Sequence, residues 1–256
     1  MITGMDDRMQ AHAAAVQGRF RRAMLAAMTF VVALGAVYPL GPLFGDLRAG
    51  ALVPRTAAGL VGVLTAPLLH GSPGHWLANS VALLVLVPLV GTVYPRASLR
   101  ALPVVWIGAG LFTWIAGRES MHIGASGLTH GLLFLLLVLG LLRRDRAAIA
   151  AALIAFFFHG GMLLTVLPRE PGVSWEYHLG GALAGIVAAF VWRRADPEPP
   201  RARYSWEEEA AAAGPDPELE PPPPEDVPVL WHRVPPAATG TVLPFRMRPR
   251  SPPPGR

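Results

Sequence analysis

A serine, an asparagine and several histidines lie at the beginnings of apolar stretches of this 256-residue chain. Ser126 lies in the stretch HIGASGLTHG, and His178 lies in SWEYHLGGALAG. A serine beside a histidine base is the minimum equipment for nucleophilic catalysis, because the imidazole takes the hydroxyl proton during the attack. The attack also needs hydrogen-bond donors at the developing oxyanion, and His75 and Asn79 of HGSPGHWLAN are side chains of suitable types. These four residues form a candidate hydrolytic site if the fold brings them together.

The composition places the candidate site in a membrane protein. Hydrophobic residues make up 52% of the chain and charged residues only 15%, which is too apolar for a soluble domain of this size. A helix of roughly 20 apolar residues crosses the hydrocarbon of a bilayer. Six stretches satisfy or approach this length, at 23–40, 74–94, 101–115, 126–142, 147–167 and 174–192. We therefore expect an all-α polytopic membrane protein with six transmembrane helices.

Arginines and prolines predict the orientation and the ends of the chain. Ten arginines flank the inner ends of the stretches if the N-terminus is inside, and four lie in the outer loops, so both termini are expected in the cytoplasm. These positions account for the net charge of +5 without a nucleic-acid partner. We expect a cytoplasmic N-terminal segment (1–22), a membrane domain (23–194) and a disordered tail (195–256), since 17 of the 27 prolines fall in the last 62 residues. No signal-peptide cleavage site follows the first stretch, which is therefore expected to stay as a span, in a bacterial plasma membrane.

The candidate residues are expected to lie at one depth in the bilayer. Ser72 is a natural N-cap with Pro73 at the first helical position, which places His75 and Asn79 on one helix face. Ser174 is likewise a suitable N-cap for the sixth stretch. At about 1.5 Å of rise per residue, Asn79, Ser126 and His178 all lie about 22 to 25 Å above the inner ends of their helices. No carboxylate falls at this depth, so the sequence predicts a Ser-His dyad and not a triad.

Small residues predict that the helices of Ser126 and His178 pack closely. Gly127 and Gly131 form one pair with small-xxx-small spacing, and Gly181 and Gly185 form another. Such pairs let helix backbones approach in membranes, which would bring Ser126 within hydrogen-bond reach of His178.

Structural roles are the alternatives for each residue taken alone. Ser126 could cap a helix, and His178 or Asn79 could make an interhelical hydrogen bond. His122 and His159 are expected to be structural or to line a cavity. A metal site would use His75, His130 and His178, but no carboxylate or thiolate lies near them, so no metal is predicted. A channel or small transporter would need polar residues at several depths, which the first and third stretches do not supply.

The three motifs together resemble those of the rhomboid family of intramembrane serine proteases, over roughly residues 60–192. The family patterns are H-x4-H-x3-N, G-x-S-G-x3-G and H-x2-G-x3-G, which match His70, His75 and Asn79, then Gly124, Ser126, Gly127 and Gly131, then His178, Gly181 and Gly185. The resemblance implies a six-helix rhomboid-like bundle that cleaves transmembrane segments of protein substrates near the outer face, without a cofactor. It implies Ser126 as nucleophile, His178 as general base, and His75 and Asn79 with the Ser126 N–H at the oxyanion. It also implies that His70 helps to hold the entry from the loop into the second span. Neither the substrate nor the oligomeric state follows from it.

Two positions depart from the family pattern. The family often carries Trp-Arg shortly before the position of Thr65, where this chain has Val61 and Gly62. The family commonly has an aromatic residue four positions after the nucleophile, stacked beneath the catalytic histidine, and this chain has His130 there. The His130 imidazole can stack in the same way, and it could also titrate or compete for a proton. The main alternative is an inactive rhomboid-like protein that binds transmembrane clients, but such proteins usually lack the serine or the histidine, and this chain keeps both.

Overall fold

The computed structural model describes residues 3–40, 47–197 and 205–213, and these residues are helical apart from turns and loops. The helices are α1 (Thr3–Leu40), α2 (Gly62–Thr65), α3 (Pro73–Val93), α4 (Pro95–Ala116), α5 (Ser126–Arg143), α6 (Arg146–His159), α7 (Trp175–Trp192) and α8 (Ser205–Ala213). Short 3-10 helices lie at Leu47–Gly50, Ala58–Leu60, Ala66–Leu68 and Gly160–Leu164. The first seven helices belong to one compact unit, Met1–Pro199, and α8 belongs to a separate one.

Five helical segments of the described chain are long and apolar enough to span a membrane. They are Gln10–Val37, Pro73–Val93, Pro95–Ala116, Ser126–Arg143 and Arg146–Leu164. Together with the helical fold they confirm the prediction of an all-α polytopic membrane protein. The sixth predicted span forms α7, whose first turn carries the polar residues Glu176 and His178. The count of six spans therefore stays a prediction.

Three helix bounds differ from those that the sequence predicts. Helix α1 begins at Thr3, twenty residues before the apolar stretch, because a helix continues through the polar and alanine-rich segment that precedes it. Helix α4 begins at Pro95, directly after the single residue Tyr94, since proline suits the first helical turn. Helix α6 ends at His159 and continues as a 3-10 helix through Gly160 and Gly161, which have poor α-helix propensity.

The predicted helix starts around the site are confirmed. The Ser72 hydroxyl accepts a hydrogen bond from the His75 N–H, and Pro73 follows it at the first helical position. The Ser174 hydroxyl likewise accepts from the Tyr177 N–H at the start of α7. Helix α5 begins at Ser126, but its N-cap is Ala125, which provides no side-chain hydrogen bond. The alternative that Ser126 is an N-cap is therefore wrong.

The close packing predicted for the fourth and sixth stretches is present between α5 and α7, which form the most extensive helix contact of the bundle. A Cβ atom on Gly181 would overlap the carbonyl oxygen of Gly127. A Cβ atom on Gly185 would overlap the carbonyl oxygen of Gly131. Gly181 and Gly185 are thus required by backbone contact, while a Cβ atom on Gly127 or Gly131 would overlap neighbouring side chains first. This packing holds Ser126 and His178 on adjacent helix ends.

A polar cluster at the opposite end of the bundle holds the chain that leaves α7. The buried Asp196 carboxylate accepts hydrogen bonds from the N–H groups of Arg96 and Ala97 at the start of α4 (2.8 and 2.9 Å). Arg143 at the end of α5 donates to the Asp196 carbonyl (3.0 Å). Within the segment predicted as a disordered tail, Asp196 is thus packed against the bundle and Ser205–Ala213 is helical. The disorder predicted for 198–204 and 214–256 lies outside the described residues.

Candidate active site

One cavity of about 640 Å³ collects the candidate residues at the N-terminal ends of α3, α5 and α7. Its lining includes His75 and Asn79 of α3, Ser126 and His130 of α5, His178 of α7, and Thr165 from the loop after α6. The first five come from three stretches of sequence that the motifs singled out. The polar residues predicted to meet at one depth therefore lie around one recess.

Ser126 is the first helical residue of α5 and is half-buried beside a glycine with an unusual backbone conformation. Gly124 has φ +109°, a region that side chains disfavour. A Cβ atom on Gly124 would also overlap the imidazole of His75, while the Asn79 amide nitrogen would lie 3.5 Å from it. Gly124 thus allows the His75 ring to lie against the backbone two residues before the serine.

His178 is buried and held from two sides. Its Nδ1 lies 3.0 Å from the main-chain carbonyl oxygen of Thr165. A carbonyl only accepts hydrogen bonds, so Nδ1 carries the proton, and the neutral ring has its lone pair at Nε2. The His130 ring stacks on His178 with a centroid distance of 3.9 Å and an interplanar angle of 12°. The expectation that an imidazole takes the place of the stacking aromatic residue is confirmed.

The Ser126 hydroxyl and His178 line the same cavity, but the described residues show no hydrogen bond between them. The predicted contact is therefore not formed in this arrangement. Catalytic hydrogen bonds are often long in the absence of substrate and tighten when it binds. The geometry therefore leaves Ser126 and His178 as a candidate pair.

His75 and Asn79 of α3 also line the cavity, and His70, in the loop before α3, packs against His75. The Asn79 amide donates to the His75 carbonyl one turn earlier (3.0 Å) and is itself buried. The His70 ring packs edge-on against His75 with a centroid distance of 5.0 Å. Burial, and secondarily the neighbouring His75, lowers the pKa of His70 to about 4, so this ring is neutral at pH 7. His70 is thus a packing support at the start of α3.

A polar network that the motifs did not reveal ties the loop before α5 to the start of α7. The buried Glu176 carboxylate pairs with Arg118 (3.3 Å) and accepts from its main-chain N–H (3.2 Å). The Ser174 hydroxyl lies 2.5 Å from Nδ1 of His122, and burial lowers the pKa of His122. The only sequence signal was an acid in the first turn of an apolar helix. The network fixes the first turn of α7 at Glu176, two residues before His178.

His159, the remaining histidine of the membrane domain, lies at the end of α6 and its Nε2 is buried. It is not among the residues that line the cavity. Across the part of the chain that the structure describes, no group of three His, Cys, Asp or Glu side chains could hold a metal ion.

Comparison with known proteins identifies the family of the chain. The sequence pattern of the Rhomboid domain matches residues 57–195, which is more than half of the chain and includes every candidate site residue. The chain belongs to the rhomboid family. It is accordingly an integral, multi-pass membrane protein.

Relatives of this rhomboid occur in mycobacteria. An uncharacterized protein of Mycobacterium tuberculosis (Rv1337) is 40% identical over 174 residues, which cover 64% of this chain and 72% of the relative. An uncharacterized protein of Mycobacterium leprae (ML1171) is 40% identical over 141 residues, which cover 52% of this chain and 56% of the relative. Their names state no activity.

The structure explains one departure of this rhomboid from the family pattern. A Cβ atom on Gly62 would overlap the backbone of Leu52, which lies against the start of α2. An arginine therefore does not fit at residue 62 in this packing. Val61 is 57% exposed, so a larger residue would fit there without disturbing the core.

Proposed function

We propose that this rhomboid is an intramembrane serine endopeptidase that cleaves transmembrane segments of protein substrates through Ser126 and His178. The observation that carries the proposal is the single cavity in which both residues meet His75 and Asn79. The tautomer of the neutral His178 ring adds support, because a proton held at Nδ1 leaves Nε2 free to act as a base.

The reaction follows from these groups. His178 Nε2 takes the hydroxyl proton of Ser126 as the serine oxygen attacks the peptide carbonyl, and the resulting imidazolium then protonates the leaving amine. The oxyanion would be held by the Ser126 N–H together with His75 and Asn79. The Ser126 N–H is available because the first N–H groups of a helix have no partner within it. Water then attacks the acyl enzyme, with His178 again as the base.

The cavity also suggests the form of the substrate. The serine lies at the beginning of a membrane-spanning helix, so the scissile bond would lie near the outer end of the substrate segment. A helix engages its own carbonyls in hydrogen bonds, so the bound stretch must be extended, which Gly, Ala, Ser or Pro residues in the substrate would favour. With both termini in the cytoplasm, the outer face is the extracytoplasmic side of a bacterial plasma membrane, and the mycobacterial relatives agree with a bacterial origin.

The test is cleavage by the purified protein in proteoliposomes. Fusion proteins that carry a panel of transmembrane segments would be reconstituted with the wild type, with Ser126→Ala and with His178→Ala. Ser98→Ala is a matched control, because Ser98 is also a buried helix serine but lies at the other end of the bundle, bonded to the Pro95 carbonyl. We expect cleavage by the wild type and the control only.

Binding without cleavage is the second candidate function. A folded wild type that retains a transmembrane segment through co-purification but cuts none of the panel would refute the protease and support a client-binding rhomboid. The presence of both Ser126 and His178 in the cavity favours the protease.

A further inference from the structure

The loop after α6 brings one residue into contact with both stacked histidines. The 3-10 helix Gly160–Leu164 is followed by Thr165, its C-cap residue, which lies in the cavity wall. The Thr165 carbonyl lies 3.0 Å from Nδ1 of His178, and its hydroxyl lies 2.8 Å from Nε2 of His130. Thr165 is thus joined to the candidate base and to the ring stacked beneath it.

Hydrogen-bond donors and acceptors determine what each histidine does. His130 Nδ1 lies 2.7 Å from the Ser126 carbonyl and therefore donates to it. A neutral His130 then has its lone pair at Nε2, which faces the Thr165 hydroxyl; that hydroxyl also lies 2.9 Å from the Met162 carbonyl, and its one proton serves one of the two acceptors. The two ring nitrogens of His130 thus lie against the Ser126 carbonyl and Thr165, and neither is left for the Ser126 hydroxyl. Of the two stacked rings, His178 is the one whose Nε2 makes no hydrogen bond among the described residues.

We propose that Thr165 is the positioning residue of the general base, and that its main-chain carbonyl takes the place that a carboxylate has in a catalytic triad. The proposal rests on the function proposed above. Before the attack, the carbonyl holds the proton of His178 at Nδ1 and directs the lone pair of Nε2 into the cavity. After the attack, His178 carries a proton on both nitrogens, and the bond from Nδ1 becomes charge-assisted and stronger. A bond that strengthens as charge develops lowers the barrier.

The test weakens the carbonyl without changing any side chain. Replacement of Val166 by its α-hydroxy acid converts the amide between residues 165 and 166 into an ester, whose carbonyl is a weaker acceptor. The amide N–H that is lost makes no hydrogen bond within the described residues, so the fold loses no contact. Thr165→Val removes the hydroxyl but keeps the carbonyl, so its comparison with the ester variant separates the two contacts. Thr165→Ser keeps both groups and is the control. The thermal unfolding midpoint of each variant shows whether it is folded.

Two measurements on these proteins are needed. Nitrogen-15 NMR of protein labelled in histidine reports which ring nitrogen carries the proton, with His178→Ala used to assign the signal. The rate of labelling by a fluorophosphonate reports the reactivity of Ser126. We expect His178 to be protonated at Nδ1 in the wild type, in Thr165→Val and in Thr165→Ser, and to populate the other tautomer in the ester variant. Labelling of the ester variant should be about tenfold slower, as expected for the weakening of one hydrogen bond.

Either of two results would overturn the proposal: a wild-type His178 protonated at Nε2, or a folded ester variant with wild-type tautomer and labelling rate. Failure of the proposed function looks different. A wild type that is not labelled, but whose His178 carries its proton at Nδ1 and loses this preference in the ester variant, would refute the protease and still support the positioning by Thr165.

Discussion

Replacement of Gly181 by alanine should lower the rate at which Ser126 reacts, without changing any polar group in the candidate site. The new Cβ atom would lie 2.8 Å from the carbonyl carbon and 3.0 Å from the Cα atom of Gly127, in addition to overlapping its oxygen. Carbon atoms in contact prefer about 3.5–4.0 Å, so α5 and α7 must separate by about 1 Å. A displacement of about 1 Å between catalytic groups costs about 100-fold in rate, and overpacking costs about 1–3 kcal/mol of stability.

Fluorophosphonate labelling in detergent measures this effect without a known substrate, and thermal unfolding measures stability in the same preparation. Gly185→Ala should act in the same direction but more weakly, because residue 185 is one helical turn further from His178. Gly18→Ala is the control, since the nearest neighbouring atom to its Cβ would be an Arg22 side-chain nitrogen at 3.6 Å. A folded Gly181→Ala that is labelled at the wild-type rate would refute the inference that close packing of α5 and α7 positions the dyad.

Three further predictions concern the residues around the dyad. Asn79→Ala should lower kcat for a transmembrane substrate about 100-fold or more with little change in KM, as for the loss of an oxyanion donor; an unchanged kcat would limit Asn79 to its bond with the helix backbone. Glu176→Gln should destabilise the protein by about 1–2 kcal/mol in thermal unfolding, since it weakens a pair whose Arg118 side chain is 44% exposed; equal midpoints would show that the pair is not stabilising. Since the pKa of His70 is lowered to about 4, the unfolded chain binds a proton below about pH 6.5 that the folded chain does not. Stability should therefore fall between about pH 6.5 and 4, by at most about 1.4 kcal/mol per pH unit, and His70→Gln should flatten this slope.

Local rules account for the parts of the site that the sequence predicted. The caps at Ser72 and Ser174 follow from side chains that bond to nearby N–H groups, so they depend on a few adjacent residues. The placement of Ser126 and His178 around one cavity follows from helix rise and from the spacing of small residues, which are regular properties of a membrane helix.

The features that were missed depend on contacts between distant segments. Thr165 reaches His178 only because α6 ends at His159, and apolar periodicity alone predicted a continuous helix there. The group that Thr165 supplies to His178 is a main-chain carbonyl, which every residue has and no sequence motif records. The contact between His122 and Ser174 joins residues 52 positions apart, across two loops.

If Ser126 is a nucleophile activated by His178, a fluorophosphonate will form a covalent adduct with it, and the position of that adduct can be determined. Purified protein would be treated with a fluorophosphonate and digested, and the modified peptide would be sequenced by mass spectrometry, alongside Ser126→Ala and His178→Ala. We expect a single adduct on Ser126 that both variants lose. A folded wild type without an adduct, or with its adduct on another serine, would show that Ser126 is not the activated nucleophile.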